Sequence, residues 1–234
     1  MRLLPRRKHP LLTRLYYRLV RGHYANDLLL QLQLDARRES VEYIKANMRA
    51  ATICEGRPAL HRLAFEHARL EGLVIELGVK AGGTIRGIAA MTPHAVHGFD
   101  SFLGLPEDWA GTSLRKGKFS TGGRLPNVPP NVILHAGWFD RTLPEFVQAQ
   151  RGPIAFMHVD CDLYSSTRTA FEVLGHWIVP GTVLVFDEYF NYPNWREHEY
   201  RAFQEFVAAN AIRYRYLGLV SRGGSVAVSI EARG

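Results

Sequence analysis

Leu73-Val74-Ile75-Glu76-Leu77-Gly78-Val79-Lys80-Ala81-Gly82-Gly83-Thr84 decides the fold. The first five residues are a short β-rich run that ends at Gly78, and helical spacing resumes from Thr84 to Met91. An apolar strand, a glycine turn and a helix in that order make the unit of a parallel sheet covered on both faces. The glycines allow a tight turn and let a ligand reach the backbone with no side chain in the way. This is not the fingerprint Gly-x-Gly-x-x-Gly, because Lys80 occupies the second glycine position. An acidic strand end followed by Gly-x-x-x-Gly suits a ligand with a positive centre and a carboxylate, not a pyrophosphate.

Outward from this unit the same alternation continues. Val96 to Phe99 reads as a second strand ending at Asp100, Asn131–Leu134 as a third, Ile154–Val159 as a fourth and Thr182–Phe186 as a fifth. Tyr214–Leu219 and Ser225–Ile230 read as a terminal hairpin, giving seven strands. Helical spacing is read over 27–50, from Pro58 to about Leu70, over Thr167–Ile178 and over Trp195–Asn210. Ser101 to Asn131, rich in Gly, Pro and polar residues, is expected to wrap a helix and a loop. The fold class is α/β: a doubly wound, mostly parallel seven-stranded sheet with an N-terminal helical extension.

Composition narrows the function. The chain has 234 residues, 47% hydrophobic and 22% charged, enough for one sizeable core. No apolar run approaches the ~20 residues of a membrane-spanning helix. The two cysteines, Cys54 and Cys161, exclude a disulfide scaffold and a cysteine-rich zinc site, and suit a reducing cytoplasm. The formal charge is +7, but Arg2, Arg6, Arg7, Lys8, Arg14, Arg18 and Arg21 all precede the first acid, Asp27. The rest of the chain is therefore neutral, which argues against a nucleic-acid partner. Within the arm, Leu12, Leu15, Tyr16 and Leu19 form a short apolar stripe beside the arginines. Two readings stay open: peripheral contact of residues 1–21 with the inner membrane surface, or packing on the domain or on a second subunit as a homodimer. No secretory signal is expected, since no apolar core with a small-residue cleavage site follows the basic residues.

In doubly wound sheets ligands bind beyond the carboxyl ends of the strands. There the second strand delivers Asp100, a carboxylate placed to accept both hydroxyls of a ribose. Gly137-Trp138-Phe139 follows the third strand and offers an aromatic surface for an adenine. The fourth strand ends in His158-Val159-Asp160-Cys161-Asp162 and the fifth in Phe186-Asp187-Glu188-Tyr189. Carboxylates emerging together from apolar strands repel one another unless something positive compensates, and no Lys or Arg is adjacent in sequence. A hard divalent cation, Mg²⁺, answers this, with Asp160, Asp187 and Glu188 as ligands and Asp162 capping a helix or supporting the ligands. The competing reading has these acids capping helices and pairing with arginines distant in sequence.

Glu76-Leu77-Gly78-Val79…Gly82, Gly98-Phe99-Asp100-Ser101-Phe102…Gly104-Leu105-Pro106, His158-Val159-Asp160-Cys161-Asp162-Leu163-Tyr164 and Phe186-Asp187-Glu188-Tyr189 together resemble the class I S-adenosylmethionine-dependent methyltransferases. Within that class they are most similar to the macrocin-type O-methyltransferases, which methylate sugar hydroxyls of antibiotics with the help of Mg²⁺. The resemblance implies three segments: a basic amphipathic arm (1–25), N-terminal helices (26–72) and a methyltransferase domain (73–234). It implies that Glu76, Gly78 and Gly82 surround the methionine end of S-adenosylmethionine. Asp100 would hold its ribose, and Ser101, Gly137 and Trp138 would border its adenosine. Asp160 and His158 are the candidate catalytic residues, with the general base open among His158, His135 and His198. The acceptor would be a hydroxyl-bearing small molecule. Two rivals are a metal-dependent glycosyltransferase using Asp-x-Asp and a membrane-surface adaptor using the basic arm.

Overall fold

The structure, a computed structural model, describes residues 27–234 together with Leu11, Arg14 and Leu15. The readings made for the basic arm therefore lie almost wholly outside the described residues. Helix α1 (Leu28–Asn47) opens the described chain; Asp27 caps it by accepting from the Leu30 N–H at 3.0 Å, a contact worth about 1 kcal/mol. Strand β1 (Thr52–Cys54) and helix α2 (Arg57–His67) follow. The remaining elements are β2 (Leu73–Leu77), α3 (Gly83–Ala89), β3 (Val96–Asp100), β4 (Val132–Ala136), α4 (Phe139–Ala149), β5 (Ile154–Val159), α5 (Tyr164–Leu174), β6 (Val183–Phe186), α6 (Glu199–Ala209), β7 (Arg213–Val220) and β8 (Val226–Ala232).

The strands form one sheet in the order β1-β7-β8-β6-β5-β2-β3-β4, with β8 antiparallel to both of its neighbours and every other pairing parallel. Strand β5 is buried at all six positions and β6 at all four, the burial expected of central strands in a parallel sheet. One face packs Leu60 and Ala64 of α2 and Ile85 and Ile88 of α3 against Val74, Phe156 and Val185. The other packs Leu143 and Phe146 of α4, Phe171 of α5 and Phe203 of α6 against Leu77, Met157 and Phe186. Each such side chain contributes about 1.5–3 kcal/mol on leaving water. The chain winds from β2 outward through β3 and β4, then returns to lay β5 on the other side of β2. The switch in strand order thus lies between β2 and β5, and a cleft opens at their carboxyl ends.

The doubly wound class stands, with four corrections. The sheet has eight strands: Thr52–Cys54, inside the stretch read as N-terminal helices, pairs with β7 at the sheet edge. Three residues are too few to show an alternating pattern. The α4 helix was missed because Pro144 sits inside it and interrupts the helical reading. Ser101 to Asn131 holds no helix; turns stitch it instead, with Leu105 and Lys118 paired through their backbones and Asp108 accepting from the Lys116 N–H. Finally, the helix read from Trp195 begins at Glu199, after a short 3₁₀ turn at Trp195–Glu197.

Candidate active site

A cavity of about 900 Å³ occupies the cleft at the switch point. Of the residues singled out from sequence, Gly78, Asp100, Ser101, Gly137, Trp138, Asp160, Asp187 and Glu188 stand on its wall, whereas Glu76, Gly82 and His158 do not.

The turn after β2 is built by backbone constraint. Gly78 has φ +93°, and a Cβ there would lie 1.8 Å from the Asp160 carbonyl oxygen. Its glycine is therefore required first by the close approach of the β2 and β5 ends, not only by a ligand. Gly82 also adopts a left-handed conformation, φ +75°, but a Cβ there would meet Pro126 and Arg86 outside the cavity. Gly83 and Thr84 line the wall in its place. Asp100 closes the turn: Oδ2 accepts from the Lys80 N–H and Oδ1 from the Phe102 N–H, each at 2.6 Å. Ser101 accepts from the Leu103 N–H at 3.1 Å, and Trp138, at the start of α4, is 38% exposed with its ring open to a ligand.

Beneath the turn, Glu76 and His158 are fully buried neighbours across β2 and β5 and share a hydrogen bond of 3.1 Å. Burial, then the charges of Asp100 and Asp187, pushes the Glu76 carboxyl well up; burial pushes the His158 imidazole down to about 4. The His61 ring packs edge-on 4.8 Å away and is driven down to about 3. His158 thus cannot meet an acceptor directly, which corrects its reading as a catalytic residue. The strand alternation that turns Asp160 toward the cleft leaves His158 two residues earlier on the same face but deep in the sheet.

The acids gather as expected, with a change in membership. Ligand atoms of His158, Asp160 and Asp187 lie within 4.8 Å of one another, while Glu188 stands beside them on the wall. Asp187 is buried and accepts from Arg57 Nε at 2.9 Å and from Ser225 Oγ at 3.0 Å. An arginine distant in sequence does therefore pair with the cluster. Against Asp160, Asp162, Asp187 and Glu188 stand one half-exposed guanidinium, Arg57, and, toward Asp162, the ammonium of Lys80. Burial first, then mutual repulsion, raises the Asp160 carboxyl well above the ordinary range, Asp162 to about 7 and Glu188 to about 8. His158 Nε2 and Glu76 Oε2 are buried with no hydrogen-bond partner. This donor set fits a divalent cation: the carboxylates suit Mg²⁺, and an adjacent imidazole nitrogen admits Mn²⁺ as well.

Sequence reasoning missed three residues, Arg57, Trp109 and Glu199. Arg57 opens α2 and reaches the acids only through the fold. Trp109 and Tyr192 pack edge-to-face at 5.5 Å and line the cavity from two loops. Glu199, fully buried, accepts backbone N–H groups from beneath the acids. No local pattern marked those three, whereas the sequence offers Phe190, Tyr192 and Trp195 as loop aromatics that shape an acceptor pocket or close the domain. Of the loop aromatics, Tyr192 reaches the cavity, whereas Trp195 is buried against Tyr43 and Tyr200.

The doubly wound sheet with its glycine turn after β2 is the fold of the class I S-adenosylmethionine-dependent methyltransferases. A family profile described as a methyltransferase domain matches residues 75–189, spanning the glycine turn, Asp100 and both acidic strand ends. Among solved structures, the calicheamicin methyltransferase CalS11 is 20% identical, with 97% of this chain and 94% of that one covered at a TM-score of 0.57. The O-methyltransferase NovP is 23% identical over 76% of this chain and 81% of its own, at a TM-score of 0.54. An O-methyltransferase from Bacillus cereus, in complex with SAH, is 16% identical over 94% and 97%, at a TM-score of 0.51. No curated protein matches the chain significantly.

Proposed function

We propose that the chain transfers the methyl group of S-adenosylmethionine to a hydroxyl of a sugar or another polyhydroxylated small molecule, with a divalent cation at the acidic strand ends. The observation that carries this is the continuity of one cavity from the Gly78 turn, Asp100 and Trp138 to Asp160, Asp162, Asp187 and Glu188. A donor held at the first end faces an acceptor held at the second. CalS11 is described as a TDP-rhamnose 3'-O-methyltransferase, which supports a sugar hydroxyl as acceptor.

In this reading the transfer is an in-line displacement: the acceptor oxygen bonds to the methyl carbon as its bond to sulfur breaks, and the hydroxyl proton leaves. Asp100 orders the cofactor turn and meets the ribose, while Trp138 offers its ring to the adenine. Asp160 and Asp187, with His158 beneath them and Glu188 beside them, would hold Mg²⁺, which when bound supplies Lewis acidity and orientation at the acceptor hydroxyl. Asp162 stands on the same wall, and its carboxylate makes no hydrogen bond among the described residues, so it is free to take the proton. Trp109 and Tyr192 give the acceptor an apolar platform, and the 101–131 loop that carries Trp109 walls the cavity on that side. Alignment of donor and acceptor does most of the work.

Titration calorimetry with S-adenosylhomocysteine and with a nucleotide sugar, followed by a mass-spectrometric transfer assay on sugar acceptors with MgCl₂, tests the reading. S-adenosylhomocysteine binding and a 14-Da gain on an acceptor are expected. Binding of the nucleotide sugar with release of its nucleotide, and no binding of S-adenosylhomocysteine, would favour the glycosyltransferase instead.

A further inference from the structure

Glu199 lies off the cavity wall and has no part in the steps above. It is the first residue of α6 and is fully buried. Its Oε1 accepts from the backbone N–H of Cys161 at 3.2 Å and of Asp162 at 3.0 Å; its Oε2 accepts from the backbone N–H of Glu188 at 3.2 Å. Those three groups belong to two different chain segments, the residues just past β5 and those just past β6. Both segments have left the sheet ladder there, so their N–H groups need acceptors from elsewhere.

Two further features show how tightly this junction is held. Asp162 adopts φ +63°, a left-handed conformation that a residue with a Cβ keeps only where its surroundings fix it. On the opposite side, the Tyr192 hydroxyl donates to the Glu188 carbonyl at 3.2 Å, so both backbone polar groups of Glu188 are engaged. Arg57 is engaged by Asp187, and Glu199 has no ion pair among the described residues. What stabilises the buried carboxylate is the convergence of three donors on two oxygens, an arrangement that a carboxylate satisfies and an amide does not. A glutamine could keep one oxygen toward Cys161 and Asp162, but its NH₂ would then face the Glu188 N–H.

We propose that Glu199 is the positioning residue of the cation site: a buried carboxylate that ties the end of β5 to the end of β6 and thereby fixes Asp160 and Asp162 relative to Asp187 and Glu188. This rests on the cation reading made above. It acts through the ligands rather than on substrate, so its removal changes cation affinity before it changes anything at the cofactor turn. Groups that orient metal ligands in this way typically change affinity by about 10- to 100-fold when altered.

The test is calorimetric titration of the full chain with MnCl₂ alone, and separately with S-adenosylhomocysteine, for wild type, Glu199→Gln and Glu199→Asp. Both variants are expected to bind Mn²⁺ about 10-fold or more weakly, with S-adenosylhomocysteine affinity unchanged. The aspartate keeps the charge but withdraws it by one methylene, so full Mn²⁺ affinity in Glu199→Asp overturns positioning in favour of simple charge. Unchanged Mn²⁺ affinity in folded Glu199→Gln overturns the proposal outright, and equal loss of both ligands does the same by revealing a general structural role. Wild-type protein that binds no Mn²⁺ overturns the cation reading together with this one. Should neither variant fold, amide hydrogen exchange of the wild type decides: protection at Cys161, Asp162 and Glu188 supports the tie, and rapid exchange there rules it out.

Discussion

The two ends of the cavity treat their carboxylates in opposite ways. At the Gly78 turn, Asp100 has both oxygens occupied by backbone N–H groups at 2.6 Å. At the strand ends of β5 and β6, the carboxylates of Asp160, Asp162 and Glu188 make no hydrogen bonds among the described residues, and Asp187 alone is tied, to Arg57 and Ser225. The first acid is finished by the protein and shapes a turn. The second group repels itself, as its raised pKa values record, with only Arg57 and, at Asp162, Lys80 set against four acids. A preorganised acid reads as a recognition element, and an uncompensated cluster as a place for an ion and for proton transfer.

That contrast can be broken at several points. Asp162→Asn should lower the transfer rate by about 10²- to 10⁴-fold, the range of a lost general base, while leaving S-adenosylhomocysteine affinity intact; a parallel fall in that affinity would erase the division between the two ends. Gly78→Ala should act on both ends at once, because its Cβ would drive into the Asp160 carbonyl at a strained φ. A loss of about 3 kcal/mol in denaturant unfolding is expected, with weaker binding of both S-adenosylhomocysteine and Mn²⁺. Asp100→Ala removes two charge-assisted hydrogen bonds from the turn and should weaken S-adenosylhomocysteine about 10-fold or more, with Mn²⁺ affinity unchanged by calorimetry. The smallest effect belongs to Arg57→Ala. Loss of this half-exposed partner of Asp187 should cost about 1 kcal/mol or less of stability, and added MgCl₂ should restore the melting temperature more in the variant than in wild type.

Much of this architecture was legible in the chain. The apolar runs of β2, β5 and β6 and the glycine turn announced a parallel sheet, because strands covered on both faces must be apolar throughout. The same logic marked Asp100, Asp160, Asp187 and Glu188, since an acid at the end of an apolar strand has little reason to be there except at a site. Elements that depend on partners were not legible. Three-residue β1 exists because β7 offers it an edge, and α4 persists around Pro144 because Leu143 and Phe146 are buried on the sheet.

Sequence alone determined most of the strands and helices, short β1 and proline-bearing α4 excepted, and the side chains delivered to the strand ends, because these follow from periodicities of two and 3.6 residues that are local properties. Only the tertiary structure decided that Glu76 and His158 lie sealed beneath the site, that Arg57 reaches Asp187 across 130 residues, and that Glu199 draws two strand ends together. Depth in a sheet and contacts between distant segments depend on how the strands are ordered and wound, and no local pattern encodes that.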